Sequence, residues 1–549
     1  MAVAGKQSSA AASDSGRRLV AHIVDQVAAT DPSRPFVYAP RSSRPADGWE
    51  AVTYGQVARA VDHVAHAVAA EVKAGAAADE PFPTLAYIGP SDVRYGVVML
   101  ACIKAGCQAL FVSPRNSADG QLSLLERTRC RHLWYADEGA VRPWAGRRPG
   151  MRCTAVPPAE EWLAAAPEPF PYGRCFDAGR WDPLVVLHTS GSTGIPKPVV
   201  VRQGSLALVE AFLALPPHQG AEFHLAYWRD HARRLLMPMP LFHAAGLFAG
   251  LVVHTIYLGG SIVLGNDQPL TPELVVDYLA HSGADTAMLP PSIVEELSRS
   301  EQGIKALRKL NFVAFGGGNL NHAAGNTLVK RGVTPFNIMG STEYIPYASY
   351  FQKNAELWPY FIFNSELMGA DWRPVAGDED DVYELVIRRK DAHDPADQPV
   401  FYTFPELKEW STGDLFKPHP SLPDHWTYHG RSDNVIVFSS GEKLNPVTIE
   451  DMVASHPAVK GALVVGRDRF QPALLLEPHD GAAADAEAFI DAVWPTVDEA
   501  NRQTVAHGRI GRRFVALTEP DLPLPRAAKG TILRALATQM YDGFIDRLP

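Results

Sequence analysis

Four hydroxyls, two glycines and a lysine crowd into nine consecutive residues, Thr189-Ser190-Gly191-Ser192-Thr193-Gly194-Ile195-Pro196-Lys197. Apolar runs flank them, Leu184 to Leu187 before and Val199 to Val201 after, so the pattern reads as strand, loop, strand. Glycines let a backbone bend and approach a ligand, and hydroxyls with amide N–H groups suit phosphate oxygens. The spacing is not the G-x-x-x-x-G-K-[ST] of the P-loop, so a phosphate cradle here is of another kind. The rival reading is a flexible Gly/Ser surface turn, but linkers seldom combine hydroxyls, Pro and Lys between two buried-looking strands.

Three further small-residue turns are expected after strands: Gly316-Gly317-Gly318, Gly340-Ser341-Thr342-Glu343 and Thr412-Gly413-Asp414. In open α/β sheets ligands bind at the carboxyl ends of strands, so several such turns on one edge would outline a nucleotide-sized cleft. Asp414 could accept from ribose hydroxyls. Glu343 could hold Mg²⁺, a hard cation that prefers oxygen ligands. Each motif alone is weak, and a lone Thr-Gly-Asp reads as an ordinary turn. The conjunction carries the argument.

The elements that must position these residues alternate. Val57, Val61, Val64, Val68 and Val72 recur at helical spacing, and helices are predicted over Arg17–Ala29, Tyr95–Lys104, Gly204–Leu215, Thr271–Ser282 and His322–Arg331. Buried-type strands are predicted at Leu85–Gly89, Gly106–Ser113, Arg234–Pro240, Ser261–Leu264, Thr286–Pro290 and Phe312–Phe315. This alternation implies an α/β layered architecture with parallel strands. Beyond Arg431 a small α+β unit is expected: strand Val435–Phe438, helix Thr448–Ser455, strands Gly461–Val465 and Pro472–Leu476, helix Asp485–Ala500, strand Phe514–Leu517 and a last helix after Lys529. The organisation is therefore a large domain over 17–430 and a small one over 431–549, with 1–16 a disordered tail.

A chain of 549 residues with a formal charge of −10 is too acidic overall for general nucleic-acid or anionic-membrane binding. No run of about twenty apolar residues marks a membrane span. The five cysteines, Cys102, Cys107, Cys130, Cys153 and Cys175, form no C-x-x-C pair and read as reduced packing residues of a cytoplasmic protein.

The ordered set of motifs resembles the ANL adenylate-forming superfamily: acyl-CoA ligases, luciferases and the adenylation domains of nonribosomal peptide synthetases. Its phosphate loop is similar to Thr189–Lys197, its glycine turn to Gly316–Gly318, its N-x-Y-G-x-T-E motif to Asn337–Glu343, its T-G-D to Thr412–Asp414, and its G-R-x-D hinge to Gly430-Arg431-Ser432-Asp433. The resemblance implies a large ANL-type domain with a mobile small domain. It also implies two steps, in which ATP and a carboxylate give an acyl-adenylate and pyrophosphate, and a thiol then takes the acyl group. ATP would lie against Thr189, Ser190, Gly191, Ser192, Thr193, Gly194, Lys197, Gly316, Gly317, Gly318, Asn337, Met339, Gly340, Ser341 and Thr342, with Asp414 and Arg431 on the ribose. Thr342 would contact the α-phosphate, Glu343 would hold the metal, and Asp433 would be the hinge. Two departures stand out. Met339 replaces the aromatic residue that stacks on adenine. In the family's P-K-T-x-x-G-K-I-x-R stretch, here Pro525 to Arg534, Thr531 takes the place of the catalytic lysine and Lys529 lies two residues earlier. A two-residue slip in extended chain keeps the same face and shifts the side chain by roughly 7 Å, so Lys529 is assigned as the adenylation lysine.

The acid is narrowed by Pro240-Leu241-Phe242-His243-Ala244-Ala245-Gly246. Amino-acid-activating relatives usually carry an aspartate near here for the substrate amine. This stretch has none and resembles the P-x-F-H-x-x-G of ligases for aryl and acyl acids. The acid pocket would be lined by Phe242, His243, Gly317 and Gly340, and an aryl acid is expected. Tyr87–Tyr95, Ser113–Ser117, Gly441–Pro446 and Lys529–Thr531 look like fungal adenylate-forming reductases, in which adenylation, thiolation and reductase domains follow one another. The chain is thus expected to be an excised adenylation domain. Its downstream carrier phosphopantetheine would take the acyl group for NADPH reduction to an aldehyde. Alternatives are a free-standing aryl- or acyl-CoA ligase and a catalytically silent nucleotide-binding regulator.

Overall fold

The valines of the first amphipathic pattern fall on one buried face of the helix Tyr54–Val68, which opens on a capping box: Thr53 accepts from Gln56 N–H and the Gln56 side chain reaches back to Thr53 N–H. This helix packs against Arg94–Ala105, which is buried at all twelve positions. A helix buried on every side lies between layers rather than on a surface, and its two charged residues are paired, Arg94 with Asp92 and Lys104 with Asp25 and Asp62. The computed structural model describes residues 16–76, 79–142, 144–189, 195–375, 381–395, 397–440, 442–479, 485–526 and 530–545.

Three sheets build the large domain. One runs in the order Arg152–Ala155, His132–Tyr135, Thr84–Ile88, Gln108–Phe111, Pro183–Thr189, Lys197–Arg202, parallel except for the last, antiparallel pair. A second runs Pro335–Ile338, Val313–Gly316, Thr286–Leu289, Arg234–Met237, Ser261–Leu264, Pro35–Pro40, Trp49–Thr53, again parallel until its final pair. The third is antiparallel, in the order Ser349–Tyr350, Tyr360–Phe363, His425–Arg431, Glu409–Pro418, Tyr383–Arg388, Ala370–Pro374. Residues of all three sheets and of the helices between them share one hydrophobic core. The apolar helix Ala245–Tyr257 is wound wider than an α-helix, as the bond from Leu258 N–H to Val253 O at 2.8 Å reflects.

The later residues form their own core. Strands Val459–Val465, Ala473–Pro478 and Val515–Leu517 carry helices Val447–Ala454, Ala486–Arg502 and Arg534–Ile545. The layered α/β class expected from the alternation is what the chain adopts.

Two expectations need correction. Thr412-Gly413-Asp414 is not a turn after a strand but lies inside the strand Glu409–Pro418, whose pairing shifts register with both neighbours. The cysteines divide: Cys102, Cys107 and Cys130 are buried as packing residues, whereas Cys153 and Cys175 are exposed. Residues 1–15 of the expected tail lie outside the described residues. Gly16 is buried, its N–H 3.4 Å from Glu210 Oε2.

Candidate active site

The first motif closes a β-hairpin. Strands Pro183–Thr189 and Lys197–Arg202 pair antiparallel with Thr189 opposite Lys197, so the loop starts and ends at one rung of the ladder. Ser190, Gly191, Ser192, Thr193 and Gly194 lie outside the described residues. Lys197 is exposed. Behind the hairpin, His188 Nε2 accepts from Ser113 N–H at 3.1 Å and lies 3.3 Å from the Asn116 amide nitrogen. Burial lowers His188 to about 4, so the ring is neutral at physiological pH and ties the Ser113–Ser117 loop to the root of the hairpin.

The second and third motifs sit side by side because their strands do. Val313–Gly316 pairs parallel with Pro335–Ile338, Phe315 facing Asn337 and Gly316 facing Ile338. The glycine turn Gly316–Gly318 and the run Met339–Glu343 therefore leave the same sheet edge together. Thr403 Oγ1 donates to the backbone oxygen of Glu343 at 3.2 Å and fixes the end of that run. No hydrogen-bond or ion-pair partner of the Glu343 carboxylate is found among the described residues. Nor is there a cluster of three metal-ligating side chains among them. A single free carboxylate fits Mg²⁺, which is commonly held by one or two carboxylates and the phosphates of its nucleotide. Met339 is half-buried and packs, as Ile338 and Ile345 do, on the large apolar core.

Asp414 and Arg431 face each other across the antiparallel pair Glu409–Pro418 and His425–Arg431. Arg431 Nη1 lies 3.2 Å from Asp414 Oδ1 and donates to Thr412 O at 3.3 Å, while its Nε lies 3.0 Å from Asp433 Oδ1. Burial alone would lower Arg431, but the two carboxylates outweigh it and hold the guanidinium above its ordinary value. Asp414 is only 7 % exposed, and its N–H donates to Thr412 Oγ1 at 2.9 Å. A Cβ at Gly413 would stand 2.8 Å from Arg431 Nη2, so the glycine admits the guanidinium. A cavity of about 20 Å³ lined by Asn319, Leu320, His322, Asn337, Trp358 and Tyr428 opens between the glycine turn and the strand carrying Arg431.

Phe242 and His243 come next to one another after the strand Arg234–Met237. Ser91 Oγ accepts from Leu241 N–H at 2.9 Å, and Phe242 packs towards Tyr95. His243 Nδ1 accepts from Ala245 N–H at 3.3 Å, which orients the ring at the start of the helix Ala245–Tyr257.

The small domain touches the same edge. Lys529 lies outside the described residues, but its successors are placed. Gly530 has φ +85°, and a Cβ there would stand 2.7 Å from Ser292 Oγ. A Cβ on Gly318 would stand 3.1 Å from Thr531 Cγ2. The residue at the family's lysine position therefore lies against the glycine turn, and Lys529 is one residue from Gly530. This interdomain contact was not legible in the sequence. Its one signal was the alignment that put Thr531 in the lysine's place.

The model of the AMP-binding enzyme family matches residues 24–364, and that of the AMP-binding enzyme C-terminal domain matches 433–548. The chain belongs to the AMP-binding enzyme family. It is 48% identical over 539 residues to a carboxylic acid reductase of Neurospora crassa, covering 97% of this chain and 51% of that protein. It is 29% identical to the adenylate-forming reductase Nps11 of Serpula lacrymans, covering 94% and 48%. The chain thus spans about half the length of these relatives. Among solved structures, an anthranilate CoA ligase bound to anthranoyl-AMP superposes with a TM-score of 0.71 at 17% identity, covering 95% of this chain and 97% of that one. ATP-bound MatB of Rhodopseudomonas palustris superposes with 0.70 at 18%, covering 96% and 99%. The resemblance read from the motifs is borne out, and the fold is that of the adenylate-forming enzymes. Among the described residues no helix is long and apolar enough to cross a membrane.

Proposed function

We propose that the chain uses ATP to activate a carboxylic acid, an aryl acid rather than an α-amino acid, as the acyl-adenylate. The acyl group then passes to the phosphopantetheine thiol of a carrier domain, for reduction by an NADPH-dependent reductase domain of a longer polypeptide. The observation that carries the first step is the contact of the small-domain loop at Gly530 and Thr531 with the large domain at Ser292 and Gly318, beside a cavity shared by residues just after the glycine turn and by Tyr428 of the strand that ends in Arg431, the partner of Asp414. The 48% identity to a carboxylic acid reductase supports the later ones.

The carboxylate and the α-phosphate it attacks are both anionic, so catalysis is mainly positioning and charge neutralisation. In this reading Asp414 and Arg431 hold the ribose, Asn337 and Met339 meet the base, and Thr342 contacts the α-phosphate. Thr189–Lys197 closes on the β- and γ-phosphates, which leave as pyrophosphate. Mg²⁺, when bound, would neutralise phosphate charge beside Glu343. Lys529 would bring a cation from the small domain, and His243 with Phe242, Gly317 and Gly340 would line the acid pocket. Asp433, already paired with Arg431, suits the hinge on which the small domain, from about residue 431, turns between half-reactions. The free state of the described cysteines supports a reducing, cytoplasmic setting.

Pyrophosphate release over a panel of aryl, aliphatic and amino acids tests the reading. An aryl acid should turn over and Lys529→Ala should lower the rate by about 10²-fold or more. Turnover of α-amino acids alone would overturn the substrate class. Efficient formation of acyl-CoA from free CoA would overturn the carrier step in favour of a CoA ligase.

A further inference from the structure

Three segments meet at Asn321, just beyond the glycine turn. Its backbone N–H donates to Glu295 Oε1 at 2.8 Å, on the helix Pro291–Ser298. Its side-chain oxygen caps the helix His322–Lys330, accepting from Ala323 N–H at 2.8 Å and Ala324 N–H at 3.4 Å. That leaves the amide Nδ2, which crosses to the small domain and donates to the backbone oxygen of Asp451 at 2.5 Å. Asn321 is 9 % exposed, so this is a desolvated bond between domains rather than a surface contact. A helix cap needs only a side-chain oxygen, which serine or aspartate also supplies. The amide's second function goes unexplained by capping.

We propose that Asn321 is a positioning residue for adenylation: its bond to Asp451 latches the helix Val447–Ala454, and with it the loop at Gly530 and Thr531, against the nucleotide side of the large domain. This rests on the adenylation reading above. The bond exists only while the small domain is docked in this orientation, and it grows from the same turn that Thr531 touches.

The carboxyls around the latch add a dependence on pH. Burial first, and then the neighbouring carboxyls of Glu295 and Glu450, raise Asp451 to about 7, while the Asn319 amide opposes them. Glu295 is also raised by burial. Glu450 is paired with Arg534 and accepts from Val464 N–H, Arg299 reaches Ala454 O and His479, Glu296 lies near Glu295, and Tyr428 is a further titratable neighbour of Asp451. The docked state therefore holds a proton that an undocked, hydrated Asp451 releases near its ordinary value of about 4. Docking is favoured at low pH, weakens as pH rises from about 4 to about 7, and levels off above that.

The test uses the full 549-residue chain with Asn321→Ser, which keeps a cap but has no amide to donate, and with Asp451→Asn. On an acid the parent activates, Asn321→Ser should lower the adenylation kcat about fivefold with little change in Tm. It should leave the rate of acyl transfer from preformed adenylate to pantetheine at the parent's value. Asp451→Asn should flatten the fall in adenylation between about pH 4 and pH 7. An unchanged kcat in Asn321→Ser, or equal losses in both steps together with a lower Tm, would overturn the latch. A readout independent of activity separates this from failure of the adenylation reading. Spin labels on Lys305→Cys and Ala492→Cys, both exposed positions, in a Cys153→Ser, Cys175→Ser background, should show a broader interdomain distance distribution when Asn321→Ser is added. An identical distribution refutes the latch even if the parent activates no acid.

Discussion

Gly530 is the sharpest place to perturb the docked small domain without touching a reacting group. Its φ of +85° is a conformation in which an L-residue pays about 1–2 kcal/mol. A Cβ would also stand 2.7 Å from Ser292 Oγ, but that oxygen is the end of a short side chain that can rotate away, so the backbone term dominates. In Gly530→Ala the loop relaxes to another conformation whenever the domain is undocked, and docking must restore the strained one. The docked fraction, and with it the adenylation kcat, should fall about 5- to 30-fold. Single-turnover pyrophosphate release at saturating ATP and acid is the assay. Adding Ser292→Gly removes the side-chain contact but leaves the strain, so the double variant should recover little. A Gly530→Ala chain that adenylates within twofold of the parent refutes the reasoning, and full recovery by Ser292→Gly would show that the contact, not the backbone, was the cause.

Asp414→Asn should raise the KM for ATP about 10- to 100-fold with a small change in kcat, since a charge-assisted bond to the ribose is worth about 1.5–3 kcal/mol; steady-state kinetics at varied ATP checks this. Met339→Tyr should lower the KM for ATP about two- to tenfold by restoring an aromatic face for the base, and an unchanged or higher KM would mean that the base does not lie there. Lys104, 3 % exposed, joins Asp25 and Asp62 at 2.8 Å each. Lys104→Met should cost about 2–3 kcal/mol in urea unfolding, discounted because Asp25 is partly solvated, while adenylation per folded molecule stays at the parent's level.

The helices and strands of the α/β layers were legible because their apolar residues recur at periods that only one structure satisfies. Ser261–Leu264 is a strand at the expected residues, and Thr271, read as a cap signal, accepts from Leu274 N–H ahead of the helix Pro272–His281. Thr412–Asp414 misled because Gly beside Asp is turn chemistry in isolation. Only the neighbouring strands, which lie far away in sequence, turn it into an irregular ladder position. The motifs themselves were legible as chemistry. What was not legible was which surfaces of the two domains touch. Asn321 looks like any helix cap, and Asp451 like any exposed helix residue, until the Val447–Ala454 helix is brought to Asn321 and Arg299 of the large domain. Interdomain contacts carry no periodicity, so nothing in one dimension points to them.

The hairpin that bears the hydroxyl-rich loop has a consequence for how such enzymes can diversify. With Thr189 directly opposite Lys197, the ladder holds the loop's two ends together whatever the intervening residues are. Loop-closure entropy grows slowly, by about 0.6 kcal/mol for each doubling of length, so insertions and replacements between those two posts leave the scaffold nearly untouched. The segment is in effect an exchangeable cassette: grafting a relative's loop between Thr189 and Lys197 should alter turnover while the chain's folding stability hardly registers the swap.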